Sequence, residues 1–157
     1  MKKTLITLLL VSLASVSSLR AEKKEHDHGK HEHASHEAHE AHAGHMLEAY
    51  IKISTALSKD DLAAAKKAAA TIPEHDEDSS LAKSATALSK AKNIKAARKE
   101  FQTLSKNAIK ISAGRKGFYV MHCPMVKGGA GDWLQTSKEV ANPYMGSAML
   151  TCGGVKR

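Results

Sequence analysis

Large aromatic side chains are scarce: two phenylalanines, three tyrosines and one tryptophan in 157 residues. The core must therefore be assembled from Ala, Leu, Ile and Met, which lets helices approach closely but buries little area per residue. Modest stability is expected unless a metal or a disulfide adds to it. Cysteine is as sparse, with only Cys123 and Cys152. They form no CxxC pair, so the usual sequence sign of a thiol oxidoreductase is missing. No Ser/His/Asp set or pair of acids can be read either, and the chain is expected not to be an enzyme. The clustered arginines and stacking aromatics of a nucleic-acid surface are missing too, so no nucleic-acid partner is expected. The lysines stand in KK and KxxK spacings beside alanine and read as a solvated helix face.

What is present begins with MKKTLITLLLVSLASVSSLRA. Lys2 and Lys3 precede an apolar run from Leu5 to Leu13, followed by small residues up to Ala21. This reads as a secretory signal peptide, residues 1–21, with Ser17 or Ser18 as alternative cleavage sites. The run falls short of the ~20 residues that span a bilayer, and no other segment could cross one. An exported protein without stable membrane insertion after cleavage is expected. Cleavage removes Lys2, Lys3 and Arg20 and lowers the formal charge from +8 to +5.

Residues 22–45 hold eight of the ten histidines: His26, His28, His31, His33, His36, His39, His42 and His45. With no large apolar residue the segment cannot offset the entropy of ordering, so a disordered tail is expected. His36, His39, His42 and His45 would be neighbours on one face of a helix. Imidazole ligates Cu(II), Zn(II) and Ni(II), and the interspersed acids lower the cost of gathering cations. A low-affinity, exchanging metal site is expected, the alternative being a merely solubilising tail.

From Met46 the period becomes helical. Leu47, Tyr50, Ile51 and Leu57 mark a first helix. Asp60 is placed to cap a second, DLAAAKKAAATIP, which Pro73 stops. After the acidic loop EHDEDS, where His75 reads as an exposed bystander, Leu81, Ala85 and Leu88 mark a third. Asn93 caps the longest, with Ile94, Ala97, Phe101, Leu104, Ala108 and Ile111 as its apolar stripe. The expected fold is mainly α, an antiparallel four-helix bundle spanning residues 46–157 together with a Cys/Met-rich segment at 116–154.

That last segment holds both cysteines and four of the six methionines. It reads as irregular structure with a small hairpin: FYVMH and SAMLT as strands, KGGAG as a turn. Thiolate and thioether select soft ions such as Cu(I) and Ag(I). Cys123 and Met125 form C-P-M, and Met149 and Cys152 form M-x-x-C. Facing one another, these four would make a mixed thiolate and thioether site, with Met121, Met145 and His122 in reserve. Along a strand, period two puts Met121, Cys123 and Met125 on one face and His122 on the other, which makes His122 the weaker candidate unless the strand breaks at Pro124. Two structural readings compete. The cysteines can form a disulfide in an oxidising compartment, and the methionines can be core filler.

The stretches YIKISTALSKDDLAAAKKAA, NIKAARKEFQTLS and YVMHCPMV…GDWLQ…VANPYMGSAMLTCG resemble a small domain of unassigned function. It occurs alone in exported bacterial proteins, and fused to the C-terminus of periplasmic adaptor subunits of copper and silver efflux pumps. The resemblance covers roughly residues 46 to 154, and its specific part is the tail: Cys123, Pro124 and Met125; Trp133, Leu134 and Gln135; Asn142, Pro143, Tyr144 and Gly146; Met149, Leu150, Cys152 and Gly153. It implies a periplasmic role in heavy-metal handling, sequestering copper or silver or delivering it to efflux, with an efflux adaptor as a partner. It does not assign ligands. Trp133, Asn142 and Tyr144 read as structural, with a Trp133 cation–π contact to Cu(I) a lesser option. The alternative function is a non-catalytic interaction module with a Cys123 to Cys152 disulfide.

Overall fold

The structure is a computed structural model that describes the backbone of residues 29–74, 76–129 and 131–156, with side chains from Glu40 onward. The expected signal peptide, His26, His28 and His75 lie outside the described residues. Four α-helices, α1 (Gly29–Ser58), α2 (Leu62–Thr71), α3 (Ser80–Ser89) and α4 (Ile94–Ile111), precede three short strands, β1 (Tyr119–His122), β2 (Asp132–Gln135) and β3 (Gly154–Val155).

α1 begins well inside the stretch expected to be disordered, so for residues 29–45 that expectation is corrected. His31, His33, His36, His39, His42 and His45 all belong to one continuous helix. Alanine and glutamate, both strong helix formers, fill much of the space between the histidines. Met46, Leu47, Ala49 and Tyr50 are buried against the bundle. They anchor a helix whose further turns cost only propagation, not nucleation.

α1 closes in a Schellman motif. Asp61 N donates to Ala56 O at 2.9 Å and Asp60 N to Leu57 O at 3.2 Å, and Asp60 takes the left-handed conformation at φ +60°. Aspartate tolerates this conformation better than most residues. The capping role expected of Asp60 passes to Asp61, whose carboxylate accepts from Ala64 N at 2.8 Å. Ser79 caps α3 and Asn93 caps α4. A 3-10 turn over Ile72–Glu74, containing Pro73, ends α2.

Each helix packs on the next and α4 returns to α1. Fully buried alanines, among them Ala65, Ala69, Ala85, Ala97 and Ala108, lie between the larger Leu47, Ile53, Leu57, Leu88 and Leu104.

The sheet has the order β2-β1-β3, antiparallel throughout. β1 falls where FYVMH predicts. The second strand does not: SAMLT forms a 3-10 turn over Gly146–Met149, and the partners of β1 come from DWLQ and from the two residues Gly154 and Val155. The reason is local. Asn142 Oδ1 accepts the backbone N–H groups of Tyr144 and Met145 at 2.8 and 3.1 Å. Gly146 turns to φ +62° against Asp60 and Arg98, where a Cβ would lie 2.2 Å from the Asp60 carboxylate. Coiled this way, the stretch cannot extend.

The sheet meets the bundle through aromatics. Tyr50 stacks on Phe101 at 5.3 Å, Phe101 meets the edge of Tyr144 at 5.4 Å, and Tyr144 meets Trp133 at 6.1 Å. The Tyr50 hydroxyl is shared with Ser105 Oγ at 2.7 Å and accepts from Leu134 N at 3.1 Å. That ties β2 to α1 and α4.

Candidate metal centre

Cys123 follows β1 directly. β3 runs beside β1 in a register that pairs His122 with Gly154 and Met121 with Val155, so Cys152 arrives diagonally across from Cys123. Their sulfurs stand 3.2 Å apart, both as free thiols, with Cys123 buried and Cys152 half-buried. The approach depends on Gly153. Its φ is +119°, and a Cβ there would lie 2.6 Å from His122 O and 3.1 Å from the Trp133 ring. Asn142 Nδ2 donates to Cys152 O at 2.7 Å, while Asn142 N donates to Leu150 O at 2.8 Å. One buried asparagine thus fixes both ends of the turn that delivers the second thiol. The hydrogen bond between the two thiols pushes the Cys152 thiol pKa up, with burial and the charge of Cys123 adding to the effect.

The other candidate donors are distributed differently. Met121 is fully buried in the core beside Trp133 in register. The chain turns at Pro124 and Met125, with Val126 N donating to Cys123 O at 3.3 Å. Met125 therefore leaves the face it would share with Cys123 on a continuing strand, and is 59% exposed. It opens, with Met145, onto a groove also lined by Lys95, Arg98, Lys99 and Lys127. Met149 is exposed on its 3-10 turn. Cys123 and Cys152 are the pair the fold brings into contact.

His122 stands beside Cys152 along an open depression bounded by Pro124, Gly153 and Lys156. Its Nδ1 is 2.7 Å from Asp132 Oδ1, and Lys156 Nζ is 2.5 Å from Asp132 Oδ2. Burial would raise the Asp132 pKa, but the hydrogen bonds from Lys156 and His122 outweigh it and hold the carboxyl below its ordinary value. A histidine oriented through Nδ1 by a carboxylate keeps Nε2 as its outward nitrogen, the arrangement common behind metal-bound imidazoles. Among the described residues, however, no three His, Cys, Asp or Glu side chains stand together closely enough to hold an ion.

The segment delivering Cys152 is clasped to the bundle by Arg98 and Ser147, which the sequence did not single out, and by Asp60, expected there only as a cap. Arg98 Nε donates to Pro143 O at 2.8 Å, and Arg98 Nη2 to Leu57 O at 3.0 Å and to Asp60 Oδ1 at 2.5 Å. Asp60 Oδ2 accepts from Ser147 N at 2.9 Å and from the Ser147 hydroxyl. Bonds from Ser147 and Arg98 bring the Asp60 pKa down to about 2. The signal available in the sequence was two consecutive aspartates where a cap needs one. Trp133 is fully buried and donates Nε1–H to Gln135 Oε1 at 3.0 Å.

No helix among the described residues is long and apolar enough to cross a membrane. Comparison with curated proteins gives no match, nor does comparison with solved structures. Residues 46–117 match the family described as Protein of unknown function (DUF3347), a span that takes in the bundle from Met46 and stops just before β1.

Proposed function

We propose that this is an exported protein that binds a soft monovalent ion, Cu(I) or Ag(I), between Cys123 and Cys152, for sequestration or delivery to efflux. The observation carrying this reading is the 3.2 Å approach of two thiols from positions 29 residues apart. Two sulfur donors suit a soft ion of low coordination number, whereas structural zinc takes four ligands. With metal–sulfur bonds of roughly 2.3 Å, a linear S–M–S unit spans about 4.6 Å, so the thiols must part by about 1.4 Å. Cys152, half-buried at the end of a turn, is the one placed to move. His122 is the nearest candidate for a third donor. Met125 and Met145 stand among cations that disfavour a further positive charge. The histidines of α1 and of residues 22–28 serve as a low-affinity collector for Cu(II), Zn(II) or Ni(II), and a periplasmic efflux adaptor is the partner the family resemblance suggests.

Anaerobic titration tests this. The mature protein is expected to bind one Cu(I) or Ag(I) at the thiol pair, with that site lost in Cys152→Ser and kept in a form lacking residues 22–45, while loose Zn(II) binding shows the reverse. Equal Cu(I) affinity in Cys152→Ser defeats the proposal. The same sulfur contact also favours a second reading, a structural disulfide in an interaction module. A thiol count on protein purified from the exported fraction separates them: no free thiol after metal removal supports the bridge.

A further inference from the structure

The outer face of α4 carries Lys95, Lys99, Lys106 and Lys110, all exposed. Two neighbouring hollows along this face both include Gln102, and Lys127, from the turn after Cys123, lines one of them with Lys95 and Lys99; together they make a groove. None of these five ammonium groups forms an ion pair among the described residues, where the ion pairs belong to Arg98, Arg115, His122 and Lys156. Asp132 is the lone carboxylate lining the groove, and Lys156 and His122 already hold it. Gathering cations along one wall without partners carries a repulsive cost that an anionic occupant removes. The groove also offers apolar surface. Met125, Val126 and Met145 line one stretch and Ile109 the other, with Met125 the most exposed of the large hydrophobic residues described. Methionine suits a surface that must fit a varied apolar partner.

We propose that this groove is a docking site for an acidic, amphipathic segment of a partner protein. Such a segment places carboxylates against the lysine wall and apolar side chains on Met125, Met145 and Ile109. From Lys95 to Lys110 the wall runs about 22 Å at 1.5 Å per residue, the length of a helix of roughly fifteen residues or an extended strand of about seven. Apolar residues interleaved with lysines over this length suit an amphipathic peptide, which meets both along one face. A second copy of this chain brings the same cations and is repelled. The inference does not depend on an ion at the thiol pair.

The test uses a fluorescently labelled synthetic helix of about fifteen residues, with Glu on one face and Leu on the other, and a control with Lys in place of Glu. The mature protein is expected to bind the acidic peptide at least tenfold more tightly than the control, with affinity falling as salt rises. Binding should drop at least tenfold in Lys99→Glu/Lys106→Glu, and the Met125 and Met145 methyl resonances should shift on binding. Both substitutions are on exposed positions, and an unchanged melting temperature confirms that the variant folds. Equal binding of the two peptides, or undiminished binding by the charge-reversed protein, overturns the proposal. So does tighter binding to vesicles of anionic phospholipid than to the peptide, or self-association abolished by the same variant.

Discussion

Between Met46 and Ile111 buried side chains recur every three or four positions, and each helix satisfies its own backbone. Between Gly117 and Val155 the strands are four, four and two residues long, and long-range bonds from Asp60, Arg98 and Tyr50, with local ones from Asn142, hold the segment. The bundle is therefore robust to the loss of single polar contacts and sensitive to core volume. The C-terminal segment differs: its buried residues, among them Met121, Cys123, Trp133, Leu134 and Tyr144, follow no helical period, and its geometry depends on a few polar atoms and two glycines. The ion site proposed above, whose thiols would have to part, sits on the second kind of structure, in which fewer regular backbone bonds oppose a local opening.

Phe101 is where the two regions share a core, fully buried between Tyr50 and Tyr144. Phe101→Ala is expected to cost about 3–5 kcal/mol and to lower the melting of both regions together in far-UV and tryptophan-fluorescence scans. Separate transitions would show that the segment does not lean on the bundle through this ring.

Asn142→Ala acts on the segment alone. It strips partners from Cys152 O and from Tyr144 N and Met145 N, at about 1–3 kcal/mol for each buried group left unsatisfied. Helicity should survive while Cys123, buried in the wild type, becomes reactive toward a thiol reagent. An unchanged modification rate would mean that Gly153 and the β1–β3 pairing hold the thiols without the asparagine. Tyr50→Phe is milder. It keeps the stacking but removes the hydroxyl shared by Ser105 and Leu134 N, for about 1–2 kcal/mol. Hydrogen exchange at Leu134 should rise with little change elsewhere in the bundle.

The same contrast explains what could be read from the chain. Leu81, Ala85 and Leu88, or Ala97, Phe101, Leu104 and Ala108, declare a buried helix face by spacing alone, because the 3.6-residue period is a property of consecutive residues. β1 was legible as an apolar run of strand length. Its partners were not, since DWLQ and GV are too short to show alternation and their register is set by Gly153 and by the Tyr50 hydroxyl 84 positions away. SAMLT has the composition of a strand, yet Asn142 and Gly146 coil it. Cys123 and Cys152 were legible as soft donors. The departure of Met125 was not, because a turn at Pro124 moves it off the face that period two assigns. The helical state of residues 29–45 was missed because composition weighs burial, and a helix anchored at one end needs little of it.

Asp60 gives the smallest expected effect and the one most specific to the junction. Its carboxylate, at a left-handed position, binds Arg98 and Ser147 and so fastens the turn before Cys152 to the end of α1. Its folded pKa of about 2 lies below the value near 3.9 of an unfolded aspartate. The clasp therefore contributes fully above about pH 4, and its contribution is lost as pH falls toward 2. In Asp60→Asn the uncharged amide cannot form the ion pair with Arg98 at any pH. Thiol reactivity of Cys152 in the variant should then be raised at neutral pH, and the stability difference between the two proteins should shrink on acidification through that window. A difference that stays constant from pH 5 to pH 2 would show that Asp60 holds the segment by its backbone conformation and not by its charge.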